Sequence, residues 1–371
     1  MQLFIRAEGN PSIGLGHIMR CYAFAETCQA FDIPVTFLCS LESSEFLKSR
    51  HGFTSAVINL DSSHCDSHAS NDDKQSEHNA NTLLDSVPEL AKTDSVLLLD
   101  GYQFDYVYQS TLKNLGVKFA YFDDINAFYQ HDQNNVLQHQ ADIIINGAES
   151  AHSLHYEKNA QQSSLCIGND YLLLRREFHY LSPTPLSQRH TLLINFGGAD
   201  VNNYSTQLLL ALEKAGFASP VRVVSGAAFK HLDSLEHCLQ NDLKASTMPV
   251  QHIHDAQEMA LLMQHSRLAV CAAGGTQFEL LACATPSILV VVAENQLPAT
   301  QHAASQGWCD ICEWQDQVDI DALVKQILAL WQDESLIQSK FQRAVRKQDK
   351  LSFKGAENML NVLTELAHST E

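Results

Sequence analysis

Apolar residues along this chain fall in short runs separated by stretches of helical spacing. Gln2–Arg6, Val35–Cys39, Ser55–Ile58, Val96–Asp100, Lys118–Phe122 and Asp142–Ile145 read as strands, and Ile18–Phe31 and Asp105–Leu115 read as helices between them. Such alternation predicts a parallel sheet with helices on its faces. Residues 181–190, Leu-Ser-Pro-Thr-Pro-Leu-Ser-Gln-Arg-His, are polar and proline-containing, which marks a linker. The pattern then restarts with strands Thr191–Phe196, Val221–Ser225, Val250–Ile253, Leu268–Ala272 and Ser287–Val292, and it ends in helical patterns over 319–332 and 335–348. The expected fold is α/β, with two Rossmann-like doubly wound domains, 1–182 and 188–371, facing a cleft. Residues 61–82, rich in Asp, Ser, His and Asn, read as an exposed insertion. Its His64, Cys65, His68 and His78 are read as a solvated loop rather than a metal site.

Length agrees with two domains, since 371 residues exceed one ordinary core. Lys and Arg number 24 against 43 Asp and Glu, and the resulting charge of −19 argues against nucleic acid and anionic lipid as partners. It does not exclude a phosphorylated ligand, because dipoles and single arginines dominate inside a Debye length of about 8 Å. The first residues enter a strand pattern without the basic and apolar regions of a signal peptide, and no apolar run approaches the ~20 residues that cross a bilayer. Ten scattered cysteines read as reduced packing residues, and Cys309-Asp-Ile-Cys312 lacks a second ligand pair. A cytoplasmic protein, monomeric or weakly homo-oligomeric, without cofactor or metal, is expected.

Two glycine-marked segments carry candidate chemistry. In Arg6-Ala-Glu-Gly-Asn-Pro-Ser-Ile-Gly-Leu-Gly-His17-Ile-Met-Arg20-Cys, Gly14 and Gly16 permit a tight turn between strand and helix, and His17 falls in the first helical turn. There the helix dipole disfavours imidazolium, so the ring can accept a proton; a structural cap is the other reading. Arg20, one turn on, either reaches a phosphate or pairs with an acid, and Met19 and Cys21 read as packing. Asp100, Asp123 and Asp124 stand at strand ends, where they offer a carboxylate base in place of His17 or, as the better reading, cap turns.

The second segment comprises Ala273-Gly-Gly-Thr276 with Glu279, and Glu294-Asn-Gln296 after the strand Ser287–Val292. The turn Gly274, Gly275, Thr276 has a hydroxyl and N–H groups at a helix start that suit a pyrophosphate. Glu279 either accepts from ribose hydroxyls or is a solvent-facing helix acid. Glu294, Asn295 and Gln296 either bond a sugar or cap the next helix. Gly197 and Gly198, after the strand Ile194-Asn-Phe, allow close approach to a ligand or simply a tight turn.

Together these residues resemble the nucleotide-sugar hydrolases of pseudaminic acid biosynthesis, which remove UDP from UDP-2,4-diacetamido-2,4,6-trideoxy-β-L-altropyranose. Matching blocks are Ile13-Gly-Leu-Gly-His17-Ile-Met-Arg20-Cys, Phe122-Asp-Asp-Ile, Gly168-Asn-Asp-Tyr-Leu-Leu-Leu-Arg175-Arg-Glu-Phe178, Phe196-Gly-Gly-Ala-Asp200, Ala273-Gly-Gly-Thr276 with Glu279, and Ala293-Glu-Asn-Gln296. The resemblance implies the metal-independent fold of glycosyltransferase B type, shared with the peptidoglycan N-acetylglucosaminyltransferase. It also implies His17 as general base on water, a second domain that holds UDP, and Glu279 on the ribose. The assignment is then His17 as catalytic residue and Gly14, Gly16, Arg20, Asp100, Tyr102, Asn295 and Gln296 for the sugar. Gly197, Gly198, Gly274, Gly275, Thr276, Glu279 and Glu294 are assigned to the nucleotide.

The chain departs from the family at Asp100-Gly101-Tyr102, where the family reads Asp-His-Tyr, at Glu8 after Arg-Ala, and over Asn146-Gly-Ala-Glu-Ser150, positions expected to face the sugar. Inverting hydrolysis of the UDP-sugar is the favoured activity. A glycosyltransferase using the same donor site and a non-catalytic nucleotide-sugar-binding protein are the alternatives.

Overall fold

The computed structural model describes residues 1–60, 73–129, 136–313 and 317–369. Two compact units emerge: Met1–Gly9, His17–Arg176 and Ser352–Glu371 form the first, and Asn10–Gly16 with Glu177–Leu351 form the second.

In the first unit the strands are β1 (Gln2–Ala7), β2 (Val35–Cys39), β3 (Ala56–Asn59), β4 (Ser95–Asp100), β5 (Phe119–Phe122), β6 (Ile143–Asn146) and β7 (Ser164–Ile167). They pair in parallel in the order β3-β2-β1-β4-β5-β6-β7. The central strand β4 is buried along its whole length. A strand covered on both faces must be apolar throughout rather than alternating, which is why its sequence reads Ser-Val-Leu-Leu-Leu-Asp. Helices α1 (Gly16–Ala30), α2 (Leu41–Lys48), α3 (Asp73–Ser86) and α4 (Tyr106–Asn114) connect the strands. Ser40 caps α2 by accepting from the Ser43 N–H, and Asp105 caps α4 by accepting from Tyr108. Leu97, Leu99, Phe119 and Tyr121 pack with Leu83 of α3 and Leu112 of α4.

The second unit repeats the plan with β8 (Thr191–Asn195), β9 (Val221–Ser225), β10 (Val250–His254), β11 (Ser266–Ala272), β12 (Ser287–Val290) and β13 (Cys309–Cys312), ordered β10-β9-β8-β11-β12-β13, all parallel. Its helices are α5 (Tyr204–Lys214), α6 (Leu232–His237), α7 (Met259–Gln264), α8 (Thr276–Ala282), α9 (Leu297–Ser305), α10 (Ile320–Gln332) and α11 (Glu334–Gln348). Asp319 and Asp333 cap the last two through Ala322 N and Leu336 N, so both sequence patterns begin where a carboxylate can close a first turn. The Leu323, Val324, Ile327 stripe of α10 enters the core formed by Ile194, Val223, Val270 and Ile288.

Several expectations change. The final helix α12 (Gly355–His368) lies in the first unit, not the second. Lys118 Nζ bonds the carbonyls of Ala367 and Ser369, Asn358 Nδ2 bonds that of Asp170, and Gly355 lies so near Leu172 that an added Cβ would stand 2.0 Å from its carbonyl oxygen. Residues 73–86 are not loop but α3, which buries Ser76, Ala80 and Leu83; His78 lies in that helix, whereas His64, Cys65 and His68 fall outside the described residues. The short edge strands β7 and β13 were not legible, and Cys309 and Cys312 are the two ends of β13. Among the described residues nine cysteines are free thiols, and no helix is long and apolar enough to cross a membrane.

The linker ends in a buried anchor. Arg189 is fully covered, and its guanidinium donates to the carbonyls of Thr184, Cys283, Ala284 and Ser266 and to the Thr285 hydroxyl, over the ring of Phe341. Burial brings it down to about 10, which leaves it charged at neutral pH. Arg189→Met leaves those acceptors without a donor and should cost about 2–4 kcal/mol. Urea unfolding at pH 7 measures this, with exposed His190→Ala as a control that leaves the midpoint unchanged.

Candidate functional site

In a doubly wound sheet the strand order reverses at one point, and the chain there leaves two neighbouring strand ends in opposite directions, which opens a crevice. In the first unit that point lies between β1 and β4, where Ala7 stands in register with Asp100, and Asp100 in turn with Phe122 of β5. Leaving β1, the chain first forms a closed polar knot. Glu8 is buried, contacts Arg6 Nη1 at 2.5 Å, and accepts from Ser40 N, Ser40 Oγ and Ser43 Oγ. Burial pushes its carboxyl up, but Arg6 and the two serines outweigh that and hold it below its usual value. The following loop closes on itself through paired backbone bonds between Asn10 and Gly14 and delivers the chain to α1 at Gly16.

His17 and Arg20 share one face of α1, three residues apart, and both reach Asp100. His17 Nδ1 is 2.6 Å from Asp100 Oδ1; Arg20 donates from Nε to Oδ2 at 2.9 Å and from Nη2 to Oδ1 at 2.7 Å. Arg20 Nη1 also donates to Asp124 Oδ1 at 2.6 Å, and its guanidinium lies 4.4 Å from the Phe122 ring centroid. Tyr102 closes the group: its ring meets His17 edge to face at 5.1 Å, and its hydroxyl donates to Asp124 Oδ2 at 3.2 Å.

Asp100 is wholly inaccessible to solvent. Burial alone would push its carboxyl up, but Arg20 and His17 overcome this and hold it well below the carboxylate range, so it remains charged. Arg20 is driven further up by the two aspartates despite its own burial. Because the carboxylate only accepts, the imidazole presents an N–H from Nδ1, and in the neutral ring the lone pair is then on Nε2. Burial and Asp100 push the Cys21 thiol well up, which makes it inert and consistent with packing.

Within the first unit the structure therefore brings together His17, Arg20, Asp100 and Tyr102, and it revises their use. Arg20 pairs with acids. Asp100, assigned to the sugar, is sealed beneath the histidine because both its oxygens are occupied. Of the three strand-end aspartates, Asp123 alone caps a turn, by accepting from Ile125 N and Ala127 N; Asp124 joins the polar group instead. Asn146, expected to face the sugar, is buried and ties Asp123 O to Ala148 N.

In the second unit the reversal lies between β8 and β11, where Asn195 is in register with Cys271. Gly197 and Gly198 follow β8, Gly274, Gly275 and Thr276 follow β11, and Glu294, Asn295 and Gln296 follow β12 as a 3-10 turn. All are thus at carboxyl ends of neighbouring strands. Gln296 links two of the turns, since its Oε1 accepts from Val292 N and its Nε2 lies 3.5 Å from where a Gly274 Cβ would stand. Thr276 opens α8 and Glu279 sits in its first turn. Gly198 has a packing reason as well: a Cβ on Gly226 would meet its Cα at 2.5 Å, so the ends of β8 and β9 touch backbone to backbone. Asp200 caps α5 through Tyr204 N and Ser205 N.

Sequence reasoning missed Ser225, whose hydroxyl lies between His252 Nε2 at 2.8 Å and His254 Nδ1 at 2.9 Å. The alternating His-Ile-His of β10 was the available signal, since alternate strand residues share a face.

The family described as "Glycosyltransferase family 28 C-terminal domain" matches residues 202–356. An uncharacterized protein of Methanocaldococcus jannaschii is 24% identical over 307 residues, 80% of this chain, and the chain spans 56% of that protein's length. The UDP-2,4-diacetamido-2,4,6-trideoxy-beta-L-altropyranose hydrolase of Campylobacter jejuni is 23% identical over 311 residues, 83% of this chain and 98% of that protein. The crystal structure of Acinetobacter baumannii MurG superimposes with a TM-score of 0.60 at 14% identity, covering 98% of this chain and 99% of that one. These likenesses fit the resemblance read from the sequence, and the fold is that of the B-type glycosyltransferases, with two Rossmann-like domains.

The ion-pair group has a measurable signature. Arg20→Met strands a buried carboxylate and should cost about 3–5 kcal/mol at neutral pH. Asp100, lowered in the fold, contributes stability that is present above the ordinary carboxylate range and lost as pH falls through its folded value. The gap between wild type and Arg20→Met should therefore be widest near pH 7 and shrink below about pH 4, as read by urea midpoints across that range.

Proposed function

We propose that the protein is a nucleotide-sugar-acting enzyme that hydrolyses a UDP-sugar with inversion, UDP-2,4-diacetamido-2,4,6-trideoxy-β-L-altropyranose being the favoured substrate. The observation that carries this reading is the 2.6 Å contact between His17 Nδ1 and Asp100. It fixes the tautomer that leaves Nε2 as a base and gives the imidazolium, once formed, a carboxylate to rest against. On this reading His17 Nε2 takes a proton from water as the water oxygen attacks the anomeric carbon. The bond between that carbon and the diphosphate oxygen breaks, and UDP leaves with the bonding pair. Arg20 and Tyr102 hold Asp100 and Asp124 rather than the diphosphate.

The developing charge on the departing diphosphate then falls to backbone N–H groups at the glycine turns after β8 and β11, with the Thr276 hydroxyl. Glu279 is assigned to the ribose hydroxyls, Glu294 to the nucleotide, and Asn295 and Gln296 to the sugar side. Likeness to the hydrolase of Campylobacter jejuni supports water as acceptor. Transfer to a hydroxyl acceptor by the same base is the second reading, favoured by the glycosyltransferase family match over 202–356.

The test is UDP release in ¹⁸O-labelled water without acceptor. Wild type should release UDP and place label in the sugar, and His17→Ala should lower kcat by about 10²-fold or more with UDP affinity unchanged. Slow release that an added acceptor accelerates would instead establish transfer. Asp100→Asn, which removes the charge facing the imidazole, should lower kcat by about 10²-fold with little change in KM.

A further inference from the structure

Beneath the His17 group lies a second polar cluster that the reaction scheme does not use. His139 is fully buried, with Nε2 3.3 Å from Asp123 Oδ2 and 3.1 Å from Asn126 Oδ1; its Nδ1 has no hydrogen-bond partner among the described residues. Asn159 Nδ2 donates to the same Asn126 oxygen at 2.8 Å. Asp123 is gripped from every side: its carbonyl accepts from Tyr156 Oη and Asn146 Nδ2, its N–H bonds Ile145 O, and its carboxyl caps Ile125 and Ala127. The next residue is Asp124, whose oxygens take Arg20 and Tyr102.

We infer that His139 and Asp123 form a buried pair that holds a single proton and positions Asp124, and through Arg20 the Asp100–His17 contact. The arrangement of hydrogen bonds supports a neutral ring: Nε2 faces two oxygens and so carries the ring N–H, while the unpartnered Nδ1 keeps only a lone pair, which costs less to bury than an N–H, and the single titratable proton of the pair is then on Asp123.

Burial pushes Asp123 up to about 7 and His139 down to about 4. Among the described residues, the other titratable groups facing the pair are Asp124, which also raises Asp123, and Tyr121 and Tyr156, both driven well up by burial and uncharged at neutral pH.

Proton counting gives the pair a recognisable behaviour. Unfolded, Asp titrates near about 3.9 and His near about 6.5. Between about pH 4 and 6.5 the folded pair holds one proton on Asp123 and the unfolded chain holds one on the histidine, so the pair adds almost no slope to stability. Replacing His139 removes the matching proton from the unfolded chain. The folded state then binds more protons than the unfolded one, and stability falls as pH rises from about 4 to about 7, the unfolding constant growing about tenfold per pH unit.

The experiment compares wild type, His139→Leu and His139→Gln by urea unfolding from pH 4.5 to 7.5 and by ¹⁵N imidazole NMR, with His17 assigned through His17→Ala. Both variants should lose stability with rising pH relative to wild type. His139→Leu, which lacks a donor, should displace the His17 ring signals, and His139→Gln, which keeps a donor toward Asp123 and Asn126, should restore them. Parallel stability curves would overturn the shared proton, and unmoved His17 signals in folded His139→Leu would overturn the positioning.

The effect on turnover rests on the reading of His17 as base. UDP release by His139→Leu should fall about tenfold in kcat with KM unchanged and recover in His139→Gln. Failure of wild type to release UDP would sink that functional reading while the NMR and unfolding arms still decide the pair.

Discussion

A carboxylate with no access to water sets the terms for the first unit. Asp100 ends β4 where the sheet reverses, and an isolated charge there would be prohibitively expensive. The chain meets this with two residues on one helix face, His17 and Arg20, whose spacing brings both to the same pair of oxygens. Helix α1 must therefore start close to Gly16 and run across the end of β4, which in turn requires the tight Asn10–Gly14 loop. The geometry of the imidazole follows from that electrostatic demand and is not an independent feature. Arg20 then needs a second acid, since one guanidinium serves two carboxylates, and Asp124 supplies it from the end of β5.

The same pairing decides what Arg20 does not do. With Asp100 and Asp124 on its donors, its charge is spent within the unit, and a ligand phosphate would have to compete with two aspartates. The overall charge of −19 makes the same point at long range. On the proposed reading, affinity for a diphosphate therefore falls to short-range backbone donors at the glycine turns of the second unit, where the ends of β8 and β9 approach backbone to backbone at Gly198 and Gly226.

The α/β plan was legible because fully covered parallel strands betray themselves as apolar runs, and β2 and β9 fall on the residues the pattern marks. Two of the four edge strands, β3 and β10, also overlap marked runs, but Ser164–Ile167 and Cys309–Cys312, short and partly solvated, were not legible. The return of α12 to the first unit was invisible for another reason. It depends on contacts with Lys118 and Asp170, far away along the chain, while its own amphipathic pattern is indifferent to which sheet it covers. In the site, His17 and Arg20 were legible from their spacing and the glycines before them. The pairing of Asp124 with Arg20 was not, because a strand-end aspartate that caps a turn and one that neutralises a guanidinium look alike, and here neighbours 123 and 124 take one role each.

The two units thus differ in how they make polar chemistry. The first uses side chains, each oriented by another side chain, so its properties depend on protonation states and single substitutions travel through the network. The second uses turns at strand ends, where the donors are peptide N–H groups that neither titrate nor change with most substitutions. A proton-transfer step needs the former, since side chains and not peptide groups take up a proton near neutral pH. Recognition of a permanently charged diphosphate needs only the latter. On the proposed reading, that division suits a base-catalysed displacement of a nucleoside diphosphate, with the acceptor, water or a hydroxyl, activated at His17 Nε2.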